Sequence, residues 1–254
     1  MAKIISIFNQ KGGVGKTTTT VNLSAAIGKK GKRILLVDID PQGNSTSGLG
    51  VDKSKIGVST YDVLVDGVSV EKILIETPFK NVHLLPSNMN VAGADLELAD
   101  AENREKRLKN ALDEIKDNYD FIFIDCPPSL GMLSINSLTA SDSVLVPIQC
   151  EYYALEGLSQ LVSTIKSVKM HYNESLEIEG IVFTMFDARL KLNQQVVDEV
   201  EKFFPNKAFK NMIPRNVRLS EAPSFGMPVC YYDKLSKGTW AYKRLAGEFL
   251  ENNK

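Results

Sequence analysis

The residues Gln10-Lys11-Gly12-Gly13-Val14-Gly15-Lys16-Thr17-Thr18 follow directly on an apolar run, Ile4 to Phe8, and lead into a helical stretch opening Thr19-Thr20-Val21-Asn22-Leu23. Strand, glycine turn and helix in that order describe a phosphate-binding loop. The glycines let the backbone curl so that consecutive N–H groups face phosphate oxygens, and the helix adds its positive N-terminal end. The spacing sets Lys16 against β and γ phosphates and the Thr17 hydroxyl on Mg²⁺. A turn that merely joined strand to helix would need neither the lysine nor the two threonines.

Further β-branched or aromatic runs recur downstream: Arg33 to Val37, Val82 to Leu85, Tyr119 to Ile124, Ser143 to Ile148, Ile178 to Met185 and Phe209 to Ile213. Between them lie helical patterns at Thr17 to Lys30, Arg104 to Lys116, Ala154 to His171 and Asn193 to Phe204. Strands apolar on both faces, alternating with helices, predict an α/β fold: a doubly wound, mainly parallel sheet with helices on both faces. No repeat or Pro/Ser-rich linker divides the chain, so residues 1–254 are expected to form a single domain. The stretch Gly48 to Pro86, with short helical candidates at Tyr61 to Val65 and Val70 to Ile75, is expected to be an insertion over the nucleotide end. A last helix, Lys237 to Glu251, should pack Trp240, Leu245, Phe249 and Leu250 back on the sheet.

Composition excludes several classes. The 30 basic and 31 acidic residues give a net charge of -1, which no histone-like binder would have. Cys126, Cys150 and Cys230 are far apart with no CxxC, which suits a reduced, cytoplasmic protein. No signal peptide is apparent, and no apolar stretch approaches the roughly 20 residues of a membrane span.

Two further segments add acids beside the loop. Leu35-Leu36-Val37-Asp38-Ile39-Asp40-Pro41 ends a buried strand in carboxylates, at the sheet end where open α/β folds bind ligands. Their i, i+2 spacing puts Asp38 and Asp40 on the same side of an extended strand, able to hold Mg²⁺ through water or orient an attacking water. The lesser alternative for Asp40 is a capping or turn role before Pro41. Phe121-Ile122-Phe123-Ile124-Asp125 has the Walker B form, with Asp125 placed to hold the metal's water shell.

The loop departs from the general G-x-x-x-x-G-K-[ST] pattern: Gln10 replaces the first glycine and Lys11 is an extra lysine. In this it resembles the deviant Walker A subgroup of P-loop NTPases. Taken with VDIDPQGNST, FIFIDCPPSLG, VPIQCEYYALEG and PRNVRLSEAPSFGMPV, all in order, the whole chain resembles the ParA/Soj family of DNA-partition ATPases, in its short chromosomal type without an N-terminal helix-turn-helix domain. That resemblance implies a Mg²⁺-dependent ATPase that forms an ATP-bound homodimer, binds double-stranded DNA without sequence preference, and releases it when a centromere-binding ParB-like partner stimulates hydrolysis to ADP; its place is the cytoplasm, on the nucleoid. It implies that Lys11 reaches the partner's nucleotide across the dimer and that Gly12 packs at the dimer face. Gly13, Val14, Gly15, Lys16, Thr17 and Thr18 cradle phosphates, with Thr17, Asp38 and Asp125 at the metal. Asp40 orients the attacking water, while Pro214 and Asn216 hold adenine, although both also suit a turn.

Charge distribution bears on DNA binding. Lys202 to Arg244 contains nine basic residues against Glu221 and Asp233, a local net of +7 suited to phosphate-backbone contact. Lys210 and Arg218 lie in that stretch, and Arg189 resembles a DNA-contact position of the family. Related ATPases offer rival readings: a membrane-associated MinD-like positioning ATPase, an iron–sulfur or metal carrier, and a small-molecule ligase. Trp240 to Lys254 has three basic residues and two acids, short of the strongly basic face that a lipid-docking helix needs, so no stable membrane anchor is expected.

Overall fold

The computed structural model describes residues 1–254. Seven strands are β1 (Lys3–Ile7), β2 (Ile34–Asp38), β3 (Ile75–Glu76), β4 (Val82–Leu85), β5 (Phe121–Asp125), β6 (Ser143–Gln149) and β7 (Glu177–Thr184). They form one sheet in the order β3-β4-β2-β5-β1-β6-β7, parallel throughout except for β3 against β4. The predicted doubly wound α/β architecture is thus the one observed. Register aligns Ile7 with Asp125 and Asp38 with Asp125, so the ends of β1, β2 and β5 share one edge.

Side chains alternate across the sheet, and both faces are apolar. Ile4, Leu35, Val37, Ile122 and Val144 face one side; Ile5, Ile7, Leu36, Phe123 and Leu145 face the other. The first side is covered by α3 (Thr60–Leu64), α4 (Val91–Glu97), α5 (Arg107–Asp113), α6 (Met132–Ala140), α7 (Ala154–His171) and α8 (Lys191–Phe203). The second is covered by α1 (Lys16–Lys29) and α11 (Lys237–Asn252), with the short α2 (Asn44–Gly48), α9 (Val217–Glu221) and α10 (Val229–Tyr232) at its rim. Phe249 of α11 sits 5.2 Å from the Phe121 ring and 5.6 Å from that of Phe123, and is fully buried. Burial of aromatic and aliphatic side chains on this scale is what fixes α11 to the sheet.

Four expectations are corrected. Phe209 to Ile213 is not a strand, although its backbone follows β7: Phe209 N–H donates to Ile181 and Ile213 N–H to Phe183. Between those contacts the N–H groups of Lys210 and Asn211 turn to the Glu248 carboxylate of α11, which interrupts the ladder. Gly48 to Pro86 is not simply an insertion over the nucleotide end: Thr60 and Pro86 meet beside Asp38, but β3 and β4 between them build an edge of the sheet. The Arg104 to Lys116 helix is shorter, α5 alone, with single 3₁₀ turns at Arg104–Lys106 and Lys116–Asn118. Trp240 is 47% exposed rather than packed on the sheet, and the buried positions of α11 are Gly238, Thr239, Tyr242, Leu245, Ala246 and Phe249.

Candidate functional site: a phosphate loop over two buried acids

The loop spans from the end of β1 to the start of α1. Gly13 (φ +74°) and Gly15 (φ +88°) take left-handed backbone that a side chain would strain, and Gly15 opens α1. Space around Gly12 and Gly13 is open, whereas Gly15 lies against Thr184 of β7. Two side chains anchor the loop. Buried Asn9 donates to the Pro147 carbonyl at 2.8 Å and accepts the Lys11 N–H at 3.0 Å. The Thr184 hydroxyl lies 2.8 Å from the Val14 carbonyl and 3.0 Å from that of Ile148.

The two lysines of the loop diverge. Lys16 is 7% exposed and donates to the Lys11 carbonyl at 3.1 Å, inside the curl. Burial lowers its pKa, while the charges of Asp125 and Asp40 act in the opposite direction. Lys11 instead points out to the rim, where its ammonium meets Glu151 at 2.8 Å.

Asp125, fully buried, accepts from Ser45 at 2.6 Å and from Thr20 at 3.1 Å. Burial raises its pKa, against the hydroxyls of Ser45, Thr17 and Thr20. Asp38 is equally buried; it accepts both the Thr46 N–H and the Thr46 hydroxyl at 2.7 Å, and burial followed by the Asp125 charge raises its pKa. Two carboxylates at one buried edge, with only Lys16 as a near cation, leave negative charge that a divalent ion would relieve. These donors therefore fit Mg²⁺.

Asp38 and Asp40 do not share one side of an extended strand. The strand stops at Asp38, the Asp40 N–H folds back on Asp38 Oδ1 at 3.2 Å, and Asp40 Oδ1 accepts the Gln42 N–H at 2.9 Å. Asp40 therefore does make the turn before Pro41, at 8% exposure and near enough to Lys16 to act on its charge.

Beside Gly15 and Thr18 opens a cavity of about 370 Å³, lined also by Thr184, Met185, Pro214 and Asn216. Pro214 pairs with Phe186, while Asn216 caps α9 by accepting the Arg218 N–H at 3.0 Å. The cavity continues the phosphate loop and is large enough for a nucleoside.

The basic positions are distributed differently. Arg189 grips Asp187 with both Nε (2.9 Å) and Nη2 (2.6 Å), and Arg218 pairs with Glu221 at 2.7 Å and Asp233 at 3.2 Å. Lys210 is exposed and makes no ion pair. No hydrogen bond joins the three. All three cysteines are buried and free; burial pushes Cys126 up to about 12 and Cys150 up to about 11, the reverse of a metal-binding thiolate.

A loop, a lysine and paired acids meeting at the carboxyl edge of a parallel sheet make this a P-loop nucleotide-binding protein. Residues 2–178 match the family model described as "AAA domain". The chain is 57% identical over 252 residues to the sporulation initiation inhibitor protein Soj of Bacillus subtilis (strain 168), covering 99% of this chain and all of that protein. It is 49% identical over 250 residues to the chromosome-partitioning ATPase Soj of Treponema pallidum (strain Nichols), covering 98% of each. Among solved structures, cobyrinic acid a,c-diamide synthase from Mycobacterium smegmatis with bound ADP and magnesium superposes with a TM-score of 0.86 at 37% identity, over 99% of this chain and 95% of that one. The chain belongs to the Soj/ParA family of chromosome-partitioning ATPases.

Proposed function

We propose that residues 1–254 act as one domain, a Mg²⁺-dependent ATP hydrolase that dimerises with ATP bound. In that state it holds double-stranded DNA without sequence preference, and a centromere-binding ParB-like partner drives hydrolysis and release. Its setting is chromosome or plasmid partition, in the cytoplasm on the nucleoid. The divergence of Lys16 and Lys11 carries the reading: one lysine serves the phosphates of its own loop, the other stands exposed at the rim where a second copy can approach.

In this reading the N–H groups from Gly12 to Thr18 bind phosphate oxygens, and Lys16 offsets charge on the β and γ phosphates. Thr17, Asp38 and Asp125 hold the metal site, which supplies charge neutralisation when Mg²⁺ is bound. Asp40 orients the attacking water, its carboxylate steadied by the Gln42 N–H. Pro214 and Asn216 border the base. Arg189, Lys210 and Arg218 contact DNA phosphates, the two arginines exchanging surface carboxylates for phosphate, a trade that costs little because exposed ion pairs are weak.

Titrating a DNA duplex with protein in ADP, ATP and a non-hydrolysable ATP analogue tests this. Binding in the two ATP states alone supports it, and nucleotide-independent binding defeats it. The likeness to the synthase favours a second reading, a ligase, in which ATP turnover would respond to a small carboxylate and not to DNA. Identity to the Soj proteins, at 57% and 49% over nearly the whole chain, exceeds the 37% to the synthase and favours partition. A MinD-like role on membranes would need a free apolar helix face, whereas Tyr242, Leu245 and Phe249 of α11 are buried. Liposome co-sedimentation separates that case.

A further inference from the structure

Away from the phosphate loop, a cavity of about 310 Å³ opens between the C-terminal end of α1 and the first turns of α11. Four lysines line it, Lys29, Lys30, Lys234 and Lys243, with Trp240 as one wall and Cys230 among the rest of the lining. None of the four makes an ion pair. Lys29 lies over the Tyr231 ring at 3.9 Å and donates to the Cys230 carbonyl at 2.8 Å; Lys243 lies over Trp240 at 4.9 Å. The acids nearest in sequence are turned elsewhere, Asp233 to Arg218 and Glu248 to the N–H groups of Lys210 and Asn211.

Four lysines border one concavity and none is paired with a carboxylate, so the rim is positively charged along apolar side-chain stems. A compact anion carrying several charges complements such a rim. A duplex is a rod that meets an open surface, whereas a concavity of this size, bordered by four lysine side chains and one indole, suits a small molecule. Only Lys234 and Lys243 lie in the basic window from Lys202 to Arg244; Lys29 and Lys30 are brought in by α1.

We propose that this cavity is a second anion site, distinct from the phosphate loop, for a soluble multiply phosphorylated small molecule of the nucleoside polyphosphate class. The phosphates lie among the four lysines and Trp240 walls the site. The inference stands independently of the partition reading.

Trp240 is the one tryptophan of the chain, so its fluorescence reports on this wall and on the neighbouring groove of Lys210, Lys237 and Arg244, which the variants below leave intact. Sodium tripolyphosphate, at constant ionic strength, should change that emission saturably in the wild type and equally in Lys16→Ala, whose phosphate loop is disabled. Lys30→Gln combined with Lys234→Gln, both exposed positions, should weaken the apparent affinity about tenfold. An absent signal, a signal lost in Lys16→Ala, an unchanged affinity in the double variant, or a response to duplex DNA but not to tripolyphosphate would each overturn the proposal.

Discussion

Lys11 and Glu151 lie 2.8 Å apart at the rim of the phosphate loop, an ion pair within one subunit made by a lysine that is proposed to serve the other. Both side chains are exposed, so the pair is worth only about 0.2 to 1 kcal/mol. Glu151→Gln should therefore tighten ATP-dependent dimerisation, by up to about fivefold for each subunit's pair. Lys11→Ala should retain nucleotide as a monomer and lose the dimer. Sedimentation equilibrium with ATP measures both, and normal dimerisation of Lys11→Ala would remove the trans role.

Lys16→Ala and Asp40→Ala are expected to fail differently. The first loses the ammonium buried in the curl, and with it ATP affinity, dimerisation and DNA binding. The second keeps ATP and stays dimeric while turnover falls by about 10² to 10⁴-fold, because orienting a water acts in the transition state. Isothermal titration beside single-turnover hydrolysis distinguishes the two. Equal loss of ATP affinity would erase the proposed division of labour.

Asp38 makes the stability of the nucleotide-free protein depend on pH. Burial and the neighbouring Asp125 raise its pKa in the folded state, so folding favours the protonated form. The sign follows: the folded protein binds more protons than the unfolded chain, and stability falls as pH rises above the ordinary carboxylate range. Asp38→Asn should flatten that fall in urea denaturation taken across acid to neutral pH. A slope as steep as in the wild type would show that Asp38 is charged throughout.

The Asp187–Arg189 pair predicts an asymmetry in DNA binding. Hydrogen bonds from Arg189 hold Asp187 at about 2, so the carboxylate is charged in any physiological buffer and competes with phosphate. Arg189→Ala should reduce the magnitude of the log affinity against log salt slope by up to about 2 per dimer, on any sequence. Asp187→Asn should strengthen binding. Filter binding on two unrelated duplexes measures both effects; a preference for one duplex would exclude the sequence-independent mode.

Phe249→Ala tests how α11 is held. Deleting a fully buried ring from between Phe121 and Phe123 should cost about 3 to 5 kcal/mol in chemical denaturation. Trp240→Ala, at an exposed position of the same helix, should cost far less, and the reverse ranking would mean that the helix is bound through its other face.

The sheet and the phosphate loop were legible because strand periodicity and the glycine–lysine pattern are local signals. Val82–Leu85 and Ala154–His171 are found with the predicted bounds. The Phe209 to Ile213 run misled because its apolar pattern suits a strand, while Glu248, 37 residues away from Asn211, decides where two of its N–H groups go. Asn9, Thr184, Ser45 and Thr46 were missed as supports of the site. Asn9, Thr184 and Ser45 depend on partners distant in sequence, such as Thr184 on Val14, 170 positions away, and Thr46 on a turn that brings it back to Asp38. Glu151 lay in a motif already singled out, yet nothing local marked it as the partner of Lys11.

The closing of the second face by α1 and α11 together also sets an order of events during synthesis. Helix α1 is made almost at once, but Tyr242, Leu245 and Phe249, which cover that face and meet Thr19 of α1 through the Tyr242 hydroxyl at 3.2 Å, come more than 200 residues later. A nascent chain must therefore carry an uncovered apolar surface beside its phosphate loop until the α11 segment emerges, the condition under which chains recruit chaperones or associate wrongly. Nucleotide competence is in this sense a late property of the growing chain, gained only when its last helix docks.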